Sequence, residues 1–260
     1  MSGAKILLID IETSPMEVFQ FSLRDMHAGI GQIKRDPHIM GFAAQWYGSG
    51  KGVQWFSEYH HDREVMLKKA FDFLDEADII IHYNGLGFDV PWINGELVRE
   101  GFLPPSPFKN IDLYRVGKKN FRFASHKLAY VLRHLGLTEK LDPGGMDLWI
   151  KCLYGTPAEQ KRAWTKMRRY CKRDVGALGP LYVKWMPWIA NHPNLALYAG
   201  PEGDRVSSCP NCGGTHLQSR GWAVTTTRRY PRFQCQDCGA WPRGTGSDRE
   251  ATVDLTGGVR

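Results

Sequence analysis

Apolar and polar positions along the chain set out an alternation of strands and helices. Residues 5–13, KILLIDIET, are an aliphatic, β-branched run that predicts a buried strand. Thr13-Ser14-Pro15 ends it, and residues 16–38 read as an irregular surface connection. Residues 39–47 and 53–56 flank the turn Gly48–Gly52 and predict an antiparallel hairpin beside the first strand. Asp62 is placed to cap a helix running to about Asp75, with Val65, Met66, Ala70 and Phe73 as its apolar stripe. Residues 78–83 then form a short, wholly apolar strand, which indicates parallel pairing inside an α/β sheet.

The second half continues the pattern. A helix is expected from Asp89 to about Glu100, stopped by Gly101, and a fifth strand over residues 110–113. Ser125 is placed to cap a helix carrying Leu128, Leu132 and Leu135, which Gly136 ends. Thr156-Pro157-Ala158-Glu159 is a capping box with proline at the first helical position, and it opens a long helix. Gly179-Pro180 is expected to kink or break that helix before a last, tryptophan-rich one. Residues 196–206 form a polar linker, and residues 246–260 have the composition of a disordered tail.

Composition narrows the chemistry. The chain has 260 residues, 42% of them hydrophobic, and a net charge of +7. A basic chain suits a polyanionic partner. No apolar run is long enough to span a membrane, and the N-terminus lacks a signal-peptide pattern. Four of the six cysteines form two Cys-x-x-Cys pairs, which points to metal binding in a reducing cytoplasm rather than to disulfides.

Three carboxylate-bearing motifs then stand out. Asp10 and Glu12 alternate along one strand, so both side chains share a face, about 7 Å apart along the strand. Two acids at the end of a buried strand repel each other, and a hard divalent cation such as Mg²⁺ or Mn²⁺ between them removes that cost. Asp89 either caps its helix or serves a site, and it lies just past the end of a parallel strand, where α/β sheets gather functional groups. Tyr170 and Asp174 are one helical turn apart, beside the apolar stripe Met167, Cys171, Val175 and Leu178. Asp112 is a further carboxylate of lower weight. Lys118, Lys119, Arg122 and Lys127 interleave with Phe121 and Phe123, as in a single-strand nucleic-acid track or a solvated loop with two anchors. Seven lysines and arginines between Lys161 and Arg173 are placed to ring the acidic site.

Asp10-x-Glu12, Asn84-x-x-x-Phe88-Asp89 and Tyr170-x-x-x-Asp174 resemble, in order and spacing, the DEDD 3′–5′ exonucleases. Tyrosine in the third motif is similar to the tyrosine branch, which includes family-B polymerase proofreading domains and ribonuclease D. The chain also resembles stand-alone phage and bacterial exonucleases. The resemblance covers roughly residues 5–190 and implies a ribonuclease H-like fold with a five-stranded mixed sheet, in a domain over residues 1–195. It implies two Mg²⁺ or Mn²⁺ ions, with Asp10, Glu12 and Asp174 on one, Asp10 bridging, and Asp89 on the other. Asn84 and Phe88 would lie near the terminal nucleotides, and Tyr170 would orient the attacking water. The implied activity is hydrolysis of single-stranded DNA or 3′ ends to nucleoside 5′-monophosphates, with RNA as the alternative substrate. Structure-specific endonuclease action on the same fold, or a binding adaptor with an unused nuclease site, are the rival readings.

Cys209, Cys212, Cys235 and Cys238 flank two β-like runs and predict a zinc ribbon over residues 207–245, holding one Zn²⁺. The knuckles resemble the zinc ribbons of transposases and transcription factors. Residues 205–243 carry a formal charge of +5, and four thiolates around Zn²⁺ leave about +3. Arg228, Arg229 and Arg232, with Tyr230 and Trp222, present a nucleic-acid face. Docking onto a replication or recombination protein is the alternative role.

Overall fold

A computed structural model describes residues 3–22, 27–137, 144–198 and 207–248. Much of the 196–206 linker and of the 246–260 tail expected from composition lies outside the described residues, as do Asp142 and Pro143. The chain divides into two compact units, Lys5–Tyr182 and a second that starts at Val183.

Strand β1 (Ile6–Thr13) is central to the first unit. The connection after it holds a short ribbon, β2 (Glu17–Val18) paired antiparallel with β3 (Ile33–Arg35), where the sequence suggested only irregular chain. The periodicity there is too short to show, and the pair is joined by Phe19 N–H donating to the Gln32 carbonyl at 2.8 Å. The hairpin β4 (Ile39–Trp46) and β5 (Gln54–Ser57) lies antiparallel beside β1. Helix α1 (Arg63–Glu76) is capped by Asp62, whose carboxylate accepts the Glu64 amide at 2.9 Å. Its buried stripe is Met66, Leu67, Ala70, Phe73 and Leu74, and Val65 is exposed.

Strand β6 (Ile79–His82) pairs parallel with β1, helix α2 (Asp89–Arg99) follows, and β7 (Lys109–Asp112) pairs parallel with β6. The sheet order is β5-β4-β1-β6-β7, a five-stranded mixed sheet as the resemblance implied. One face buries Leu7, Ile9, Ile11, Phe42 and Ile80 against α1 and α2. Gly41 is required where β4 passes β5, because a Cβ there would lie 2.7 Å from the Trp55 ring.

Helices α3 (Leu113–Asn120), α4 (Leu128–His134) and α5 (Asp147–Tyr154) come next. α3 and α5 are short, and the sequence reading did not separate them from loop. Ser125 does not cap α4, whose cap position is Lys127, and its hydroxyl accepts the Lys127 amide instead. The capping box opens α6 (Pro157–Trp185), with Thr156 N–H donating to Glu159 Oε2 at 2.9 Å. α6 passes through Pro180 without ending, against expectation. Ala177, Leu178, Leu181 and Tyr182 are all buried around the proline, and that packing outweighs one lost backbone bond.

The second unit contains the antiparallel ribbon β8 (Leu217–Val224) and β9 (Arg229–Cys235). Its small interior is Cys209, Cys235 and Ala240, backed by Cys212, Leu217 and Cys238. Among the described residues no helix is long and apolar enough to cross a membrane.

Candidate functional site

β1 pairs with β6 only as far as Leu8 opposite Ile81. Beyond that point β6 gives way to the loop 83–88, while β1 runs on to Thr13 against β4 alone. The edge left open carries Asp10 and Glu12. Its exposed backbone donor at Ile11 is satisfied by Asp89 Oδ1, 3.0 Å away. Asp89 is the first residue of α2, not its cap, and is 3% exposed. Burial, with Asp112 nearby, pushes its carboxyl up from 3.8 to about 7.

The loop that delivers Asp89 is held from below by two buried polar groups. Gly85 N–H donates to His82 Nδ1 at 3.0 Å, and His82 Nε2 then carries the proton toward Asn110 Oδ1, also 3.0 Å away. A Cβ on Gly85 would lie 2.5 Å from His82 Cγ, so only glycine fits. Asp112 accepts the amides of Asn84 (2.9 Å), Leu86 (3.3 Å) and Tyr114 (3.0 Å). These bonds hold Asn84 at φ 69°, a left-handed conformation that asparagine tolerates better than most residues. Asp112 therefore anchors the loop and caps α3, a role the sequence did not separate from ligation.

α6 supplies Tyr170 and Asp174. One cavity of about 1220 Å³ is lined by Asp10, Glu12, Asn84, Phe88, Asp89, Tyr170 and Asp174, so all seven residues singled out in the first unit meet. Tyr83, Tyr114, Lys118 and the stretch from Phe123 to Ala129 line it as well. Lys118, Phe123 and Lys127 of the basic and aromatic stretch thus share one cavity with the carboxylates. Tyr83, Tyr114 and His126 were not anticipated, although Tyr83 and Tyr114 each lie within two residues of the C-terminal end of a parallel strand. Cys171 was also missed. Its buried thiol lies 3.5 Å from Asp10 Oδ2, and its sulfur and the Asp10 and Glu12 carboxylates fall within 4.8 Å of one another. Burial and those acids hold the thiol protonated. Four carboxylates, of Asp10, Glu12, Asp89 and Asp174, line the cavity, and burial raises the proton affinity of Asp89. That set fits hard divalent cations such as Mg²⁺ or Mn²⁺.

A profile of the RNase_H superfamily matches residues 31–186. The chain belongs to the RNase H superfamily. The matched segment takes in Asn84, Phe88, Asp89, Tyr170 and Asp174, and β1 lies before it. No curated protein matches the sequence. Among solved structures the chain is similar to the family B DNA polymerase from the hyperthermophilic archaeon Pyrobaculum calidifontis, at 19% identity and a TM-score of 0.50. That likeness covers 86% of this chain and 31% of the polymerase, so the chain spans about a third of the polymerase's length. The likeness is one of fold, and it is the superfamily match that supports a nuclease.

In the second unit Cys209 and Cys238 sulfurs are 3.6 Å apart, and those of Cys212 and Cys235 3.7 Å. All four cysteines are free, and their sulfurs lie within 4.8 Å of one another. A tetrahedron with Zn–S bonds of about 2.3 Å has edges of about 3.8 Å, so the cluster fits one Zn²⁺. Burial pushes the Cys212 thiol up to about 11 and raises Cys238 as well, so a cation must displace protons to bind. On the ribbon, Arg229 lies 4.6 Å over the Trp222 ring and pairs with Asp248 at 2.6 Å. Arg232 donates to the Arg220 carbonyl at 3.0 Å and sits over Trp241, while Arg228 is exposed at the hairpin turn.

Proposed function

We propose that the protein is a metal-dependent 3′–5′ exonuclease of the DEDD tyrosine type, acting on single-stranded DNA or 3′ ends. The observation that carries the reading is the shared cavity, which Asp10, Glu12, Asp89, Asp174 and Tyr170 line together with lysines and aromatics. Asp10, Glu12, Asp89 and Asp174 would hold two Mg²⁺ or Mn²⁺ ions. Bound there, such ions supply activation of a water nucleophile and stabilisation of charge on the leaving oxygen.

The chain's own groups do the rest. The Tyr170 hydroxyl orients the attacking water by hydrogen bond. Lys118 and Lys127 hold phosphates. Phe88, 38% exposed, and Phe123 offer ring faces to the terminal bases, and Asn84 a hydrogen-bonding amide.

We place the catalytic domain in residues 1–195 and a Zn²⁺-bound ribbon in residues 207–245. Arg228, Arg229 and Arg232 of the ribbon add nucleic-acid contacts, and a replication or recombination protein is the alternative partner there. The polarity test is direct. A 5′-labelled single strand incubated with Mg²⁺ should give a ladder shortening from the 3′ end, while a circular strand survives. Cutting of the circle would replace the exonuclease reading with an endonuclease one.

A further inference from the structure

A second concavity, of about 530 Å³, lies on α6 and shares no residue with the carboxylate cavity. It is lined by His60, Thr165, Arg168, Arg169, Lys172 and Arg173. The basic residues expected to ring the acidic site therefore form, in part, a separate place. Among the described residues no carboxylate pairs with Arg168, Arg169, Lys172 or Arg173. Arg168 with Lys172, and Arg169 with Arg173, are like-charge pairs one turn apart, which destabilise a helix unless an anion lies between them.

The other wall groups are also donors or are already engaged. The Thr165 hydroxyl donates to the Lys161 carbonyl at 2.7 Å. His60 Nδ1 lies 2.7 Å from Ser57 Oγ, and the His60 ring stands edge-on to Trp164. With Nδ1 accepting the serine hydroxyl, His60 presents Nε2–H. Burial, with His61 and Arg168 nearby, lowers its proton affinity and keeps it a neutral donor. A concavity of four cations with no carboxylate partner among the described residues, and an imidazole N–H, suits phosphate oxygens.

Helical periodicity connects this place to the other cavity. Met167, Cys171, Val175 and Leu178 face the core. Going round α6 from that face, Arg168 and Lys172 form one row, Arg169 and Arg173 the next, and Tyr170 and Asp174 the third, each about 100° on. The middle row bridges the basic concavity and the carboxylates.

We infer that the basic face of α6 is a second nucleic-acid site, which binds the sugar–phosphate backbone of a strand whose 3′ end occupies the carboxylate cavity. The path to the cavity rests on the exonuclease reading; the binding does not.

Binding of a fluorescent single strand of about 16 nucleotides to the full chain in EDTA, by fluorescence anisotropy, tests it without cleavage. Arg168→Gln/Lys172→Gln should weaken binding by about tenfold or more and flatten the salt dependence of log K by about 1.4, two contacts at about 0.7 each. Lys68→Gln/Lys69→Gln removes the same charge from α1 and should leave both within error. With Mg²⁺, the α6 variant should raise KM for the long strand at unchanged kcat and leave dinucleotide cleavage alone. Unchanged affinity and slope, equal loss in the α1 control, or equal loss on the dinucleotide would each overturn the inference. If even the unaltered protein fails to cleave, the EDTA measurement still decides this site while the exonuclease reading falls.

Discussion

The Ile11 amide donates to Asp89 Oδ1 across 3.0 Å, joining residues 78 positions apart in the chain. That amide belongs to the edge of β1 that β6 leaves unpaired, and the carboxylate takes the place of a strand neighbour. One bond thereby ties Asp89 to the residue that separates Asp10 and Glu12 in the chain and satisfies a backbone donor of β1.

Asp89→Asn keeps an oxygen for the Ile11 amide and removes a buried charge. The metal-free variant should therefore be at least as stable as the parent at pH 8, while its cleavage rate falls by about 10² to 10⁴. Thermal unfolding in EDTA beside turnover in Mg²⁺ checks both halves. A variant that melts much earlier would show that Asp89 is needed for the fold first.

Stability should depend on pH through the same group. Asp89 holds its proton up to about 7 in the folded chain against an ordinary 3.8, first because it is buried and then because Asp112 is near. The folded state thus binds this proton more tightly than the unfolded state. Its contribution is fully present below about pH 4 and is lost as pH rises towards 7. In EDTA the parent should lose melting temperature from pH 5 to pH 8 more than Asp89→Asn does. Added Mg²⁺ should restore more at pH 8 than at pH 5, since it binds the deprotonated form.

Asp112→Asn leaves a single carbonyl oxygen where two carboxylate oxygens served the amides of Asn84, Leu86 and Tyr114. We expect destabilisation of about 1–3 kcal/mol, the usual cost of leaving buried donors unmet. Because the loop carrying Asn84 moves, KM should rise more than kcat falls. An equal loss in both would place Asp112 in the chemistry instead.

The purified protein should hold one Zn²⁺ per chain, lost on Cys209→Ser or Cys235→Ser together with the ribbon's resistance to proteolysis. Metal analysis and limited digestion read this out. Stoichiometric Zn²⁺ in the Cys209→Ser protein would remove that residue from the ligand set.

Strands β1, β4 and β6 were legible as apolar runs, from KILLIDIET to the wholly buried Ile79–His82, whereas β7, KNID, has a single apolar residue. The spacing Tyr170-x-x-x-Asp174 put two site residues on one helical row, and the structure brings that row to the cavity. Other features depend on contacts distant in sequence. Asp112 reads like any acid at a strand end until the amides of residues 84 and 86 arrive at it. Tyr114, His126 and Cys171 have no local signal that separates them from core or loop. Pro180 reads as a break because local sequence does not reveal the packing that keeps α6 continuous. The basic residues of α6 were visible as charge, but their division between two rows needed the helix to be placed.

The central claim is that the four carboxylates form a divalent-metal nuclease site, and release of mononucleotides from a single strand tests it most directly. Turnover is measured for the parent and for Asp10→Asn, each zinc-loaded and folded, in Mg²⁺, in Mn²⁺ and in EDTA. The account predicts release by the parent with either ion, none in EDTA, and a loss of about 10² to 10⁴ in Asp10→Asn. Release that persists in EDTA, or near-parental turnover by Asp10→Asn, would contradict it.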